Sequence, residues 1–149
     1  MALRFRNLDP RADKNDRYRT GKGFTIPAPF NADDLDDSSG GELHIAEGEL
    51  DAFTLHLYGL RVVGLPGAGT ATPWLAELAD VGRLVTWYDD DEGGAKGRRE
   101  FAAALVKTLG RAWVAERGRA VTLHADDVNG CHQRGALADL ITRAEWRTA

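Results

Sequence analysis

Carboxylates gather in three short runs: Glu47-Gly48-Glu49-Leu50-Asp51, Asp89-Asp90-Asp91-Glu92-Gly93-Gly94, and Asp126-Asp127-Val128-Asn129. Carboxylates held within a few ångströms of one another repel, so either some stay protonated or a cation sits among them. An oxygen-only donor set, with no His or Cys inside the runs, selects a hard ion such as Mg²⁺ or Mn²⁺. Mg²⁺ held by a few carboxylates ordinarily serves a phosphate substrate, and two such ions can clamp attacking and leaving oxygens. Phosphoryl or nucleotidyl transfer is therefore the chemistry these residue types suit. The spacing of Asp89 and Asp91 matters, because alternate residues of an extended strand point to one side. Both are expected to address the same ions, with Asp90 turned away, solvated or capping the next helix. Glu47 is expected to bind metal or to act as general base or acid toward a hydroxyl. Gly48 permits a tight turn beside it.

Such runs need elements to position them, and the intervening sequence supplies an alternation. Leu43–Ala46, Arg61–Gly64, Arg83–Tyr88 and Ala120–His124 read as four strands. Leu50, Phe53 and Leu57 recur at helical spacing, giving a helix over about 50–58. Trp74, Leu75 and Leu78 mark a second, with Pro73 suited to its first turn. Gly93–Leu109 reads as a longer helix, with Phe101, Leu105 and Leu109 inward and Lys96, Arg99 and Lys107 outward. Leu137, Leu140, Ile141 and Ala144 mark a last helix. Strand–helix alternation predicts an α/β fold, Rossmann-like, with a roughly four-stranded parallel sheet flanked by helices. Ligands of such sheets bind beyond the carboxyl ends of the strands. Three of the four predicted strand ends deliver carboxylates there, and the other delivers the glycine loop Leu65-Pro66-Gly67-Ala68-Gly69-Thr70, which suits a phosphate cradle or a simple tight turn.

The 149 residues fit one domain, with 43% hydrophobic and 28% charged residues. No apolar run approaches the roughly 20 residues of a membrane helix, and Met1–Arg6 lacks the apolar stretch of a signal peptide. A soluble, cytoplasmic protein without membrane partners is expected. The lone Cys131 excludes an internal disulfide and, with His132 alone beside it, makes a poor zinc site. Net charge is −4, but it is unevenly spread. Residues 1–30 hold seven bases against three acids, residues 31–51 eight acids and no base, and residues 96–119 seven bases against two acids. That alternation suits a cation site flanked by phosphate contacts; a solvated, mixed-sign surface is the plainer explanation of charge alone. Residues 1–38 read as a basic segment of short strands and loops, and Ser38-Ser39-Gly40-Gly41 as a joint before an α/β domain over 39–149. The four tryptophans read as core or interface, and His44 and His56 as ordinary strand and helix residues.

These motifs resemble a known family. Ile45-Ala46-Glu47-Gly48-Glu49-Leu50-Asp51-Ala52 is similar to the Glu-Gly-x-x-Asp motif of Toprim domains. Tyr88-Asp89-Asp90-Asp91-Glu92-Gly93-Gly94 is similar to their Asp-x-Asp motif in the Tyr-Asp-x-Asp-x-x-Gly form of DnaG-type primases, without the Arg-Glu-Gly that usually follows in topoisomerases. Val63–Gly69 and Asp127-Val128-Asn129-Gly130-Cys131-His132 resemble the corresponding loop and the Lys-Asp-x-Asn region of phage primase–helicases, with Asp126 in place of the Lys and Asp90 in place of a Gly often found between the two aspartates. Arg17-Tyr18-Arg19 with Lys22, then Phe30-Asn31-Ala32-Asp33, resembles the end of the basic subdomain that precedes Toprim in primases.

The resemblance implies a Toprim fold and a Mg²⁺- or Mn²⁺-dependent core for RNA primer synthesis on a single-stranded DNA template from nucleoside triphosphates. It assigns Glu47, Asp89 and Asp91 to catalysis and metal binding, with Asp51 and Asp127 supporting the metal. Arg17, Arg19, Lys22, Lys96, Gly67 and Gly69 become the candidate contacts to nucleic-acid or nucleotide phosphate. The chain has no cysteine set for the zinc-binding module of such primases and no helicase domain, so a replicative helicase or a separate zinc-binding subunit is an expected partner. Two other functions fit the same residues: a Toprim nuclease cutting phosphodiesters, and a non-catalytic DNA-binding or docking remnant of a primase–helicase.

Overall fold

The computed structural model describes residues 4–7, 9, 11, 18–20, 28–36, 40–65, 73–124, 126–143 and 146–148. Near the start, strands β1 (Arg4–Arg6) and β2 (Tyr18–Thr20) pair antiparallel, Phe5 opposite Arg19. The main sheet contains β3 (Glu42–Ala46), β4 (Val62–Gly64), β5 (Arg83–Trp87), β6 (Gly118–Val121) and β7 (Trp146–Thr148) in the order β4-β3-β5-β6-β7. The first four run parallel, with helices on both faces, as the alternation predicts. β7 adds a fifth strand, antiparallel to β6, which the sequence pattern does not announce.

Both faces of the sheet are covered, so the strands are apolar at nearly every position rather than alternating with polar residues. Leu43 and Ile45 of β3 and Leu84 of β5 face a core completed by Trp74, Leu78, Phe101, Leu105 and Val114. That layer is built by the 3-10 helix Pro73–Asp80, by α2 (Glu92–Leu109) and by α3 (Arg111–Arg117). Ala46, Val85 and Trp87 face the other core, with Ala52, Leu55, Val128, Cys131 and Leu137. That layer is built by α1 (Glu49–Leu57), α4 (Val128–Gln133) and α5 (Leu137–Arg143). His44, buried on β3, is satisfied there: its Nδ1 accepts from Trp87 Nε1 (2.9 Å) and its Nε2 lies 3.0 Å from Glu42 Oε1. Burial lowers its pKa, so the neutral ring with Nε2 protonated fits both contacts.

The structure corrects some of these expectations and refines others. Pro73–Asp80 is a helix where the spacing places one, of the 3-10 type. β6 spans Gly118–Val121 rather than 120–124: Val121 pairs with Trp87, the last residue of β5, and His124 beyond it takes a left-handed φ of 52° that an extended strand does not admit. After α2, Gly110 turns the chain at φ 95° and α3 follows, an element the sequence pattern does not announce. The last helix, α5, falls where Leu137, Leu140 and Ile141 mark it, and a short α4 that the sequence pattern does not announce precedes it, set off by Gly135 at φ 72°; Ala144, expected in the last helix, lies outside the described residues.

α1 forms where the spacing places it, but Leu50, Phe53 and Leu57, the residues that mark it, are 43%, 50% and 65% exposed, while Ala52 and Leu55 are buried. The rotation follows from polar ties: Asp51, Thr54 and Tyr58, three and four residues apart on one face, all bond to α4.

The segment before the sheet is fastened to its edge. Phe30 and Gly64 exchange backbone hydrogen bonds (2.8 and 3.1 Å). Asp34 Oδ2 accepts from Val62 N (2.8 Å), and Leu35 enters the core. Edge strand β4 is thereby covered, which blunts its exposed N–H and C=O groups. Among the described residues, no helix is long and apolar enough to cross a membrane.

Candidate functional site

The acidic runs follow three adjacent parallel strands, β3, β5 and β6. Hydrogen bonds from backbone N–H groups sew the loops together. Glu47 N donates to Trp87 O (3.2 Å), Asp90 N to Asp126 O (3.2 Å), and Asp89 N to the Glu47 carboxylate at Oε2 (3.3 Å). The first turn of α2 packs directly on the backbone of Asp89, leaving no space for a Cβ at Gly94. That close approach explains a glycine early in α2, where it otherwise weakens a helix.

Asp89 and Asp91 do not share one face of an extended strand. β5 ends at Trp87, and the pair lies in the turn beyond it. Asp91, not Asp90, caps α2: its Oδ1 accepts from Gly94 N at 2.8 Å. The reason is where the helix starts, since Glu92 as first helical residue makes Asp91 the N-cap. Asp127 does the same for α4, accepting from Gly130 N at 2.6 Å. Each cap uses one carboxylate oxygen.

Electrostatics ties the five carboxylates into one group. Burial first, then the charges of Asp89 and Asp127, raise the Asp51 pKa from 3.8 to about 7; Glu47 adds to the rise and a hydrogen bond from the Asn129 backbone opposes it. Glu47 is raised chiefly by burial, with the Asp91 charge adding and the Asp89 N–H opposing. Yet among the described residues no three His, Cys, Asp or Glu side chains converge as a ready-made metal cage. The donor set still fits Mg²⁺, which usually binds through one or two carboxylates and fills its remaining positions with water and substrate phosphate. A half-buried carboxylate held partly neutral by desolvation and by three neighbouring charges is also the kind of group a cation would ionise.

Of the expected phosphate contacts, Arg17, Lys22, Gly67 and Gly69 lie outside the described residues. Arg19 is described only as backbone in β2. Lys96 is on the outer face of α2, where its Nζ lies 3.8 Å from Glu100 Oε1. Cys131 is buried with Sγ 3.8 Å from Leu123 O, and His132 Nδ1 lies 2.8 Å from Tyr58 Oη, so neither joins the acidic rim.

Two participants absent from the expected set are Asn129 and Thr54. Asn129 Nδ2 donates to Asp51 Oδ1 (2.5 Å), and Thr54 Oγ1 donates to Asn129 Oδ1 (2.5 Å). The available signal was the Asp51/Thr54 spacing on one helical face, together with an amide just past an acidic turn.

This fold is that of primase domains. The RNA polymerase domain of Mycobacterium tuberculosis primase DnaG, solved with a double-stranded DNA oligomer bearing an overhang, matches 99% of the chain with a TM-score of 0.68 and 18% identity. The primase fragment of the bacteriophage T7 primase-helicase matches 97% with a TM-score of 0.64 and 23% identity. A chain from the T7 lagging-strand DNA polymerase in complex with primase domains, an RNA/DNA hybrid and dTTP matches 88% with a TM-score of 0.61 and 24% identity. In sequence, the chain is 38% identical over 109 residues to the Gene 57 protein of Mycobacterium phage D29, covering 72% of this chain and 66% of that protein. The chain spans 49%, 56% and 66% of the three solved chains, in the order given. No protein-family profile matches it.

Proposed function

We propose that this chain is a Toprim-type, divalent-metal-dependent nucleotidyl-transfer module that makes RNA primers on single-stranded DNA. The observation that carries this is that three adjacent strand ends each deliver carboxylates to one rim of a primase fold, with Asp51 held toward neutrality by burial and then by the charges of Asp89 and Asp127. Glu47, Asp89 and Asp91 would hold Mg²⁺ or Mn²⁺, with Asp51 and Asp127 supplying further oxygens to the ion. The ion supplies neutralisation of the charge that develops on the reacting phosphoryl oxygens.

The chain's residues contribute placement and proton handling. In the transfer, a ribose 3′-oxygen bonds to the α-phosphorus of an incoming triphosphate, and the bond to the pyrophosphate oxygen breaks. The hydroxyl proton must leave, and Glu47, half-buried with a raised pKa and an oxygen fixed by Asp89 N–H, is suited to accept it. The caps at Asp91 and Asp127 lock two rim carboxylates to rigid helices, and such preorganisation is what makes electrostatic stabilisation effective. Single-stranded DNA and nucleoside triphosphates are the proposed ligands, with a helicase or a zinc-binding subunit as proposed partner.

The test offers single-stranded and duplex DNA, ribonucleotides and deoxyribonucleotides, and Mg²⁺ or Mn²⁺ to the protein and to an Asp89→Asn control, labelling the DNA in some lanes and the nucleotides in others. Metal-dependent RNA oligomers, absent with the control, are expected. Shortened DNA would replace the proposal with a Toprim nuclease. Absence of either product would overturn catalysis by this chain and favour a docking module.

A further inference from the structure

We propose that Asn129 is a positioning residue that sets where the Asp51 carboxylate stands in the acidic rim; this rests on the metal-dependent function above. The amide has its two ends on two residues of α1, at 2.5 Å each. The NH₂ end donates to Asp51 and the carbonyl end accepts from the Thr54 hydroxyl; with Asp51 ionised, as a bound cation would make it, the carboxylate only accepts and the reverse orientation is closed. Thr54 is 6% exposed and cannot turn to water for another partner. The amide therefore has one orientation, and Asp51 Oδ1 has one place.

The second oxygen of Asp51 lies on the Gly48 side, where a Cβ at Gly48 would sit 3.6 Å from it. That is the turn following Glu47. Asn129 thus leaves one Asp51 oxygen for the rim and holds the other away from it. The loop before α4 also receives Asp90 N at Asp126 O, so α1, the Asp89–Asp91 turn and the start of α4 are braced through one short segment. A tie meant only to join two helices needs no carboxylate at one end. A neutral pair would join α1 to α4 without adding charge to an already acidic rim, where like charges are costly. Partners of this type, one bond behind a ligand, typically change metal affinity on the order of ten- to a hundredfold when removed.

The experiment measures Mn²⁺ affinity by the electron-paramagnetic-resonance signal of free ion, and metal-free thermal stability, for the parent chain, Asn129→Ala, Asn129→Asp and Thr54→Val. Thr54→Val keeps the shape and the Asn129–Asp51 bond but frees the far end of the amide. Expected are losses of about tenfold or more in Mn²⁺ affinity for Asn129→Ala and a smaller loss for Thr54→Val. In Asn129→Asp the new carboxylate still accepts from Thr54 but repels Asp51, so Mn²⁺ affinity should change even where the fold is intact. Variants that melt lower yet bind Mn²⁺ as the parent does would overturn the positioning role and leave the metal site standing. A parent chain that binds no Mn²⁺ would overturn the metal-dependent function itself, and this inference with it.

Discussion

Asp51→Asn should stabilise the metal-free protein at pH 8 and leave it nearly unchanged at pH 4. The Asp51 carboxyl titrates at 3.8 when unfolded and at about 7 when folded, raised by burial first and then by Asp89 and Asp127. The folded state therefore binds the additional proton between those values. Its stability is undiminished below the unfolded value, falls as pH rises toward the folded one, and stays reduced above it. The gap corresponds to about 4 kcal/mol at full effect. Asp51 is not wholly enclosed, and solvent screening brings the working figure to about 2 kcal/mol. Asparagine has the same shape, cannot ionise, and still accepts from Asn129 Nδ2 at Oδ1. For a chain of this size, that translates to a melting temperature higher by about 4–8 °C at pH 8. The assay is thermal denaturation of both proteins at pH 4 and pH 8, repeated with Mg²⁺. Added Mg²⁺ should raise the parent more than the variant, because ligand binding to the folded state stabilises it by mass action. A variant that melts below the parent at pH 8, or an equal difference at both pH values, would refute the like-charge account of Asp51.

Two further perturbations separate charge from architecture. Asp91→Asn keeps the α2 cap, because Asn caps as well as Asp, whereas Asp91→Ala loses it at about 1 kcal/mol; Mn²⁺ titration should show weakened binding in both, and calorimetry lowered stability only in the alanine variant. Gly94→Ala forces a Cβ into the Asp89 backbone, so a loss of about 1–3 kcal/mol is expected in chemical denaturation, with a reduced Mg²⁺ stabilisation because the Asp89 turn must shift; a neutral result would contradict the tight packing there.

The sequence by itself determines the parallel α/β order, because β-rich apolar runs alternating with helical periods admit few other arrangements. It also places acidic runs after β3, β5 and β6, since each follows its strand within a few residues. Tertiary structure decides how those carboxylates are used. Asp91 rather than Asp90 caps α2 because helix onset depends on packing against Asp89, which periodicity does not report. α1 turns Leu50, Phe53 and Leu57 outward because Asp51, Thr54 and Tyr58 are held by α4, more than 70 residues away in the chain. Apolar spacing alone favours the opposite rotation. The β7 strand is equally invisible, since three residues carry too little pattern to distinguish a strand from a tail, and only pairing with β6 defines it. Residue types are local and readable along the chain; which oxygen faces which neighbour depends on contacts between segments far apart in it, and only the folded chain brings them together.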